Sequence, residues 1–184
     1  MDRAEAAAKQ WARERPDLPV LPIETVGRLL DAAARVIRDH MNPLLSGAGL
    51  NVGEFDVLTP LRRSGEPYML SPTKLYESAM ISSAGMTNRL DRLERAGLVE
   101  RRPDPEDRRG KQIALTTGGK RAIDDLIGPM VALEEQLISV LTPSEQETLN
   151  ALLKKLLTGL QVVVVASSHL SRRQRILIPS GGTT

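Results

Sequence analysis

The chain has 184 residues, 41% of them hydrophobic, only 2% aromatic and 26% charged, with a net charge of +2. That composition supports one folded domain built from Leu, Val, Ile, Ala and Met, the side chains of packed helices, and excludes a disordered chain or a polycation. Any basic partner surface must therefore be local. The absence of cysteine excludes disulfides, thiolate metal sites, a cysteine nucleophile and thiol redox sensing in this chain.

MDRAEAAAKQW at the start lacks the apolar core of a signal peptide, and the apolar run VVVVA at 162–166 is too short to span a bilayer, so a cytoplasmic protein is expected. Residues 3–15 are strong helix formers with Asp2 placed to cap them. PDLPVLP at 16–22 is expected to run extended, and a long helix to follow over 23–45, with Val26, Leu29, Leu30, Ala33, Val36, Ile37 and Met41 on its apolar stripe. Pro43 is placed to end or kink it.

Asn51 and Glu54 form a capping-box pattern opening NVGEFDVLTPLRRS, although Pro60 argues against an unbroken helix there. Ser71-Pro72 reads as N-cap and first residue of a short helix ending at Ser78. A turn at 80–83 leads to a helix over 83–96 that buries Met86, Leu90 and Leu93 and stops at Gly97. Strands are expected at 98–101 and 112–115, joined by PDPEDRRG. A helix over 117–141 follows, with Ile123, Ile127, Met130, Leu133 and Leu137 at helical spacing. Thr142-Pro143-Ser144-Glu145 then caps a last helix reaching Leu160. The remaining residues carry no sustained pattern and are expected to form a loose tail.

Helix, helix, tight turn, helix and hairpin in this order make a winged helix–turn–helix, an architecture in which one helix enters the DNA major groove and the hairpin reaches the adjacent backbone or minor groove. The helix offers Ser83, Thr87, Asn88 and Arg92 on its polar side, and the hairpin tip offers Arg108 and Arg109. Taken singly, such features are common on solvated surfaces. Their consecutive occurrence is what points to double-stranded DNA.

RLDRLERAGLVERRPDPEDRRGKQIALTTGG resembles the recognition helix and wing of the MarR family of bacterial transcriptional regulators. The wing carries that family's Asp-x-Arg pattern at Asp107 and Arg109, followed by Leu-Thr-x-x-Gly at Leu115, Thr116 and Gly119. The resemblance covers residues 23–160. It implies a mainly α fold, with a winged helix–turn–helix, a helical dimerisation domain and a homodimer in which Asp107 orients Arg109 toward the minor groove. The corresponding division is an extra N-terminal helix and linker at 1–22, a dimerisation helix at 23–50 and the DNA-binding domain at 51–116. C-terminal dimerisation helices then occupy 117–160, with the tail at 161–184.

The extra N-terminal helix carries the single tryptophan, Trp11. This is similar to the urate-responsive, PecS/HucR-like branch of the family, whose effector positions map onto Trp11, Asp56, Arg89 and Arg101. Urate is a flat anion, which guanidinium groups can hold in a bidentate fork and an indole can cover. The resemblance thus implies a repressor released by urate or a related purine.

The plain structural alternatives are a packing tryptophan, an Asp56–Arg89 salt bridge and an arginine on phosphate. A phenolic or drug-like effector in an apolar interhelical pocket is the alternative within the same fold, and a winged helix that binds protein is the alternative of another class. His40 and His169 lie far apart in sequence, and no metalloprotease, nucleophile-elbow or P-loop pattern occurs, so neither an enzyme nor a metal or other cofactor is expected.

Overall fold

In a computed structural model the structure describes residues 1–80, 85–104 and 110–170. Helix α1 (Arg3–Glu14) opens where Asp2 accepts the Glu5 N–H at 2.9 Å, as its position predicts. The proline-rich segment is shorter than expected. Helix α2 (Val20–Arg35) begins inside it, because Pro22 falls in the first turn, where no N–H is needed. Ala4 and Ala8 of α1 are buried, and Ala4 Cβ sits 3.1 Å from where a side chain on Gly27 would begin, so α1 packs closely on α2. Asp2 also pairs with Arg28 at 2.9 Å.

The expected single helix at 23–45 is divided. After α2 a π-helical turn occupies Val36–Met41, with the Asn42 N–H donating five residues back to Ile37, and α3 (Asn42–Ser46) follows. Pro43 explains the change. Its ring would crowd the carbonyl four residues earlier in a regular α-helix, and one widened turn relieves that contact.

Helix α4 (Val52–Arg63) has the full capping box: Glu54 N–H donates to Asn51 at 3.0 Å, and Asn51 N–H donates to the Glu54 carboxylate at 3.0 Å. Contrary to the expectation from Pro60, the helix runs through it unbroken. Its residues 53–58, 60 and 61 are all buried, which makes α4 the central helix of its unit. A two-residue strand not expected from sequence, β1 (Met69–Leu70), precedes α5 (Pro72–Ser78), which Ser71 caps. Helix α6 is shorter than expected and runs Met86–Arg95 from the left-handed Gly85. At its end Gly97 (φ 69°) lets Leu98 N–H reach back to the Leu93 carbonyl at 2.9 Å.

Strands β2 (Val99–Pro103) and β3 (Lys111–Leu115) pair antiparallel, from Val99 opposite Leu115 to Pro103 opposite Lys111, and β1 adds to the other edge of β3. Helix α7 (Thr117–Ile138) then starts at a tightly specified junction. Thr116 Oγ1 accepts the Gly119 N–H at 2.9 Å and donates to the Gly97 carbonyl at 2.7 Å, while the Leu98 backbone lies against Gly119. The Leu-Thr-x-x-Gly pattern therefore joins the wing to α7 and to the end of α6.

Val57, Leu58, Leu61, Leu75, Met86, Leu93, Ile113, Ile123 and Met130, each at most 1% exposed, form the core that α4, α5, α6, β3 and α7 share. Burying one such side chain stabilises by about 1.5–3 kcal/mol. Residues Met1–Leu137 form one compact unit and the chain from Ile138 a second. In the second, Thr142 and Glu145 cap each other at the start of α8 (Pro143–Leu170), which extends ten residues beyond the expected end at Leu160. Leu149, Leu152, Leu156 and Leu160 are exposed along one side of α8. Among the described residues, no helix is long and apolar enough to cross a membrane.

Candidate nucleic-acid interface and effector site

The helical repeat divides α6 into four sides. Met86, Leu90 and Leu93 face the core. On one flank stand Arg89 and Arg92, and on the other Asp91 and Glu94. Asn88 and Arg95 point away from the core and are exposed, as is Thr87, which stands between Glu94 and Asp91 on the second flank. A helix with its outer side uncommitted to packing, standing next to a two-stranded hairpin, is the geometry that fits a major groove. Arg95, not singled out from sequence, lies one heptad after Asn88 on this outer side, and that spacing was the available signal. Its Nε donates to the Asp91 carbonyl at 3.1 Å.

The hairpin stem continues past its strands, since Asp104 N–H donates to the Gly110 carbonyl at 3.1 Å. The expected contacts Ser83, Asp107, Arg108 and Arg109 lie outside the described residues. Arg92, expected to face DNA, is exposed and places its Nε 2.9 Å from Glu54 on α4.

Arg101, expected in the effector site, bridges Asp91 at 2.5 Å and Glu94, both on the opposite flank of α6 from Arg89. The Asp91 carboxylate, followed by Glu94, raises the Arg101 guanidinium above its already high ordinary pKa. Arg101 thus ties the wing to α6.

Asp56 and Arg89 do come to the same end of α4. The Arg89 guanidinium lies across the first turn of α4. A side chain on Gly53 would begin 2.6 Å from Arg89 Nε and 2.9 Å from its Cζ, so Arg89 occupies space that only glycine leaves open. Asp56, three residues on, is 7% exposed and accepts the Met80 N–H at 3.0 Å. Met80 opens the connection from α5 to α6, so this buried carboxylate holds the head of the helix–turn–helix turn. Asp56 also lines a cleft of about 270 Å³ with Met41, Val52, Phe55, Arg63 and Met130 among its walls. Of the four expected effector residues only Asp56 lines it; Trp11, Arg89 and Arg101 are not among its walls. Trp11 stands on α1, 48% exposed.

Comparison with known proteins fits this geometry. Residues 50–111 match the MarR family model. The transcriptional regulator PecS of Dickeya dadantii is 38% identical over 145 residues, 79% of this chain and 87% of that protein. The chain belongs to the MarR family. The multiple antibiotic resistance protein MarR of Escherichia coli is 34% identical over 134 residues, 72% of this chain and 90% of its own length. A crystal structure of an Escherichia coli MarR mutant complexed with operator DNA superposes with a TM-score of 0.63 at 31% identity, covering 80% of this chain and 97% of that one. Sco3205, a MarR family regulator from Streptomyces coelicolor in complex with DNA, gives 0.67 at 27% identity, covering 76% and 88%. This MarR-family chain is a DNA-binding transcriptional regulator and not an enzyme.

Proposed function

We propose that the chain is a homodimeric repressor that binds palindromic duplex DNA and is released by urate or a related purine held at Asp56 and Arg89. The observation that carries the effector reading is the double engagement of Asp56, which holds the Met80 N–H and at the same time lines the cleft. A planar anion entering there would repel the Asp56 carboxylate and draw on the Arg89 guanidinium. It would thereby disturb both the turn before the recognition helix and that helix itself.

On this reading Arg101 would join the ligand only by leaving Asp91 and Glu94, and Trp11 would have to reach it from α1. Exposed apolar side chains on α2 (Leu21, Val26, Leu30) and on α8 support a dimer, because single lobes rarely leave such stripes in water. Two-fold related lobes would meet half-sites roughly 34–36 Å apart. Thr87, Asn88 and Arg95, with Ser83, would read the groove, and Asp107, Arg108 and Arg109 would serve the wing.

The test is a urate titration of the protein–DNA complex. Saturating urate is expected to weaken DNA binding about 5–150-fold, a coupling of ~1–3 kcal/mol, and free protein should bind urate more tightly than DNA-bound protein by the same factor. The fluorescence of Trp11, the only tryptophan, should be quenched by ligand. Neither response with urate, together with release by salicylate, would move the assignment to a phenolic effector, the reading favoured by the apolar walls Met41, Val52, Phe55 and Met130.

Gly53→Ala offers a cleaner probe than a change to Arg89 itself. The new methyl meets only the end of a flexible side chain, and alanine is about 0.5–1 kcal/mol better than glycine within a helix. Thermal unfolding is therefore expected at or above the wild-type temperature, while urate affinity falls because Arg89 is displaced. Unaltered urate affinity in a folded Gly53→Ala protein would remove Arg89 from the site.

A further inference from the structure

Glu54 is the other charged side chain buried at the start of α4, at 2% exposure. One carboxylate oxygen accepts the Asn51 N–H at 3.0 Å, and the other lies 2.9 Å from Arg92 Nε. The first contact requires only an acceptor, and glutamine serves equally well in a capping box. The negative charge is what answers Arg92. Burying a carboxylate is costly unless it is paired, so a charged residue at this position is tied to the arginine opposite it.

Arg92 and Arg89 stand one turn apart on the same flank of α6, and both guanidinium groups come against residues 53 and 54 of α4. That end of α4 is also the positive end of its helix dipole, which by itself disfavours two cations, and the Glu54 carboxylate reverses the local field. Arg92 is exposed but its Nε is engaged by Glu54, whereas Asn88 and Arg95 occupy the outer side of α6.

We propose that Arg92 is a positioning residue for DNA binding: its ion pair with Glu54 sets how the recognition helix stands relative to α4, and it reads neither base nor phosphate. DNA affinity then depends on Glu54, a buried residue on another helix, as much as on Arg92. The pairing acts within each subunit and requires no effector.

The experiment uses the full-length protein and a duplex selected from a random pool by the wild-type protein. Glu54→Gln retains the cap and removes the charge, and Arg92→Met retains the exposed stem and removes the fork. Each is expected to weaken binding about 2–30-fold, the range for residues that bias a binding element without touching the ligand. The double variant should be no weaker than the poorer single one, since both changes remove one interaction. The slope of log affinity against log salt should stay at the wild-type value in all three.

A lost phosphate contact would instead flatten that slope by about 1 for each contact. A flatter slope in Arg92→Met with a harmless Glu54→Gln would make Arg92 a phosphate ligand and overturn the proposal. Additive losses, or no loss in a folded Arg92→Met protein, would overturn it as well. Glu54→Gln leaves no unpaired buried charge, so it folds even where Arg92→Met, which strands the Glu54 carboxylate, does not. A loss of affinity at an unchanged salt slope in Glu54→Gln then supports the positioning role, whereas unchanged affinity overturns it.

Discussion

Gly119→Ala is expected to be among the most damaging single changes in the chain. The added methyl carbon would start 2.8 Å from the Leu98 carbonyl carbon and closer still to its oxygen, and both belong to backbone that cannot swing aside. Leu98 is fixed from two directions, by the α6 stop, where its N–H bonds Leu93, and by the bond from Thr116 N–H to its carbonyl. Overpacking of this kind costs about 1–3 kcal/mol, occasionally more. In a chain of this size each kcal/mol lowers the melting temperature by about 2–4 °C.

Gly118→Ala is the control. Its nearest neighbours would be ordinary contacts at 3.6 Å and the position is exposed, so alanine there should be neutral or mildly stabilising. Equal melting temperatures for the two variants would show that the junction yields where the geometry says it is rigid.

Leu156→Glu should have the largest effect on DNA binding. Leu156 lies in the middle of the exposed run Leu149, Leu152, Leu156 and Leu160 on α8, and in the proposed dimer a carboxylate there would be buried among the partner's apolar side chains. The expected product is a folded monomer. Losing simultaneous engagement of two half-sites removes an avidity of about 10²–10⁴-fold. Analytical ultracentrifugation at micromolar concentration and a duplex titration would measure the two effects together. A dimer of unchanged stability with full affinity would show that this stripe is not the interface between copies.

Most of the local architecture was legible from sequence because it depends on short-range chemistry. Asp2, Asn51 with Glu54, Ser71, and Thr142 with Glu145 all cap the helices expected of them. The periodic Met86, Leu90 and Leu93 mark the buried side of α6. What escaped depends on partners distant in sequence. β1 is two residues long and exists only because β3 pairs with it. The helical continuation through Pro60 depends on the burial of α4 on several sides, which outweighs a missing donor.

The candidate site divides in the same way. The resemblance pointed to Asp56 on α4 and to Arg89 on α6, whose guanidinium lies against the first turn of α4. The same reasoning could not foresee that Asp91 and Glu94 engage Arg101, or that Glu54 engages Arg92. An arginine on a groove-reading helix looks identical in sequence whether it faces a phosphate or a neighbouring helix.

The widened turn at Val36–Met41 acts as a phase shifter. Six residues closing five-back bonds insert the equivalent of one extra residue into an otherwise continuous helical run, which rotates everything beyond it by about a quarter turn. Before the turn, Leu21, Val26 and Leu30 face solvent; after it, Leu45 is wholly buried and Leu44 packs on the core, as does Met41 at the end of the turn itself. A regular helix would have carried a single apolar stripe in one direction along its whole length. With the rotation, the same run of chain presents one hydrophobic face outward at its start and another inward at its end, so either face can drift in sequence without dragging the other out of register.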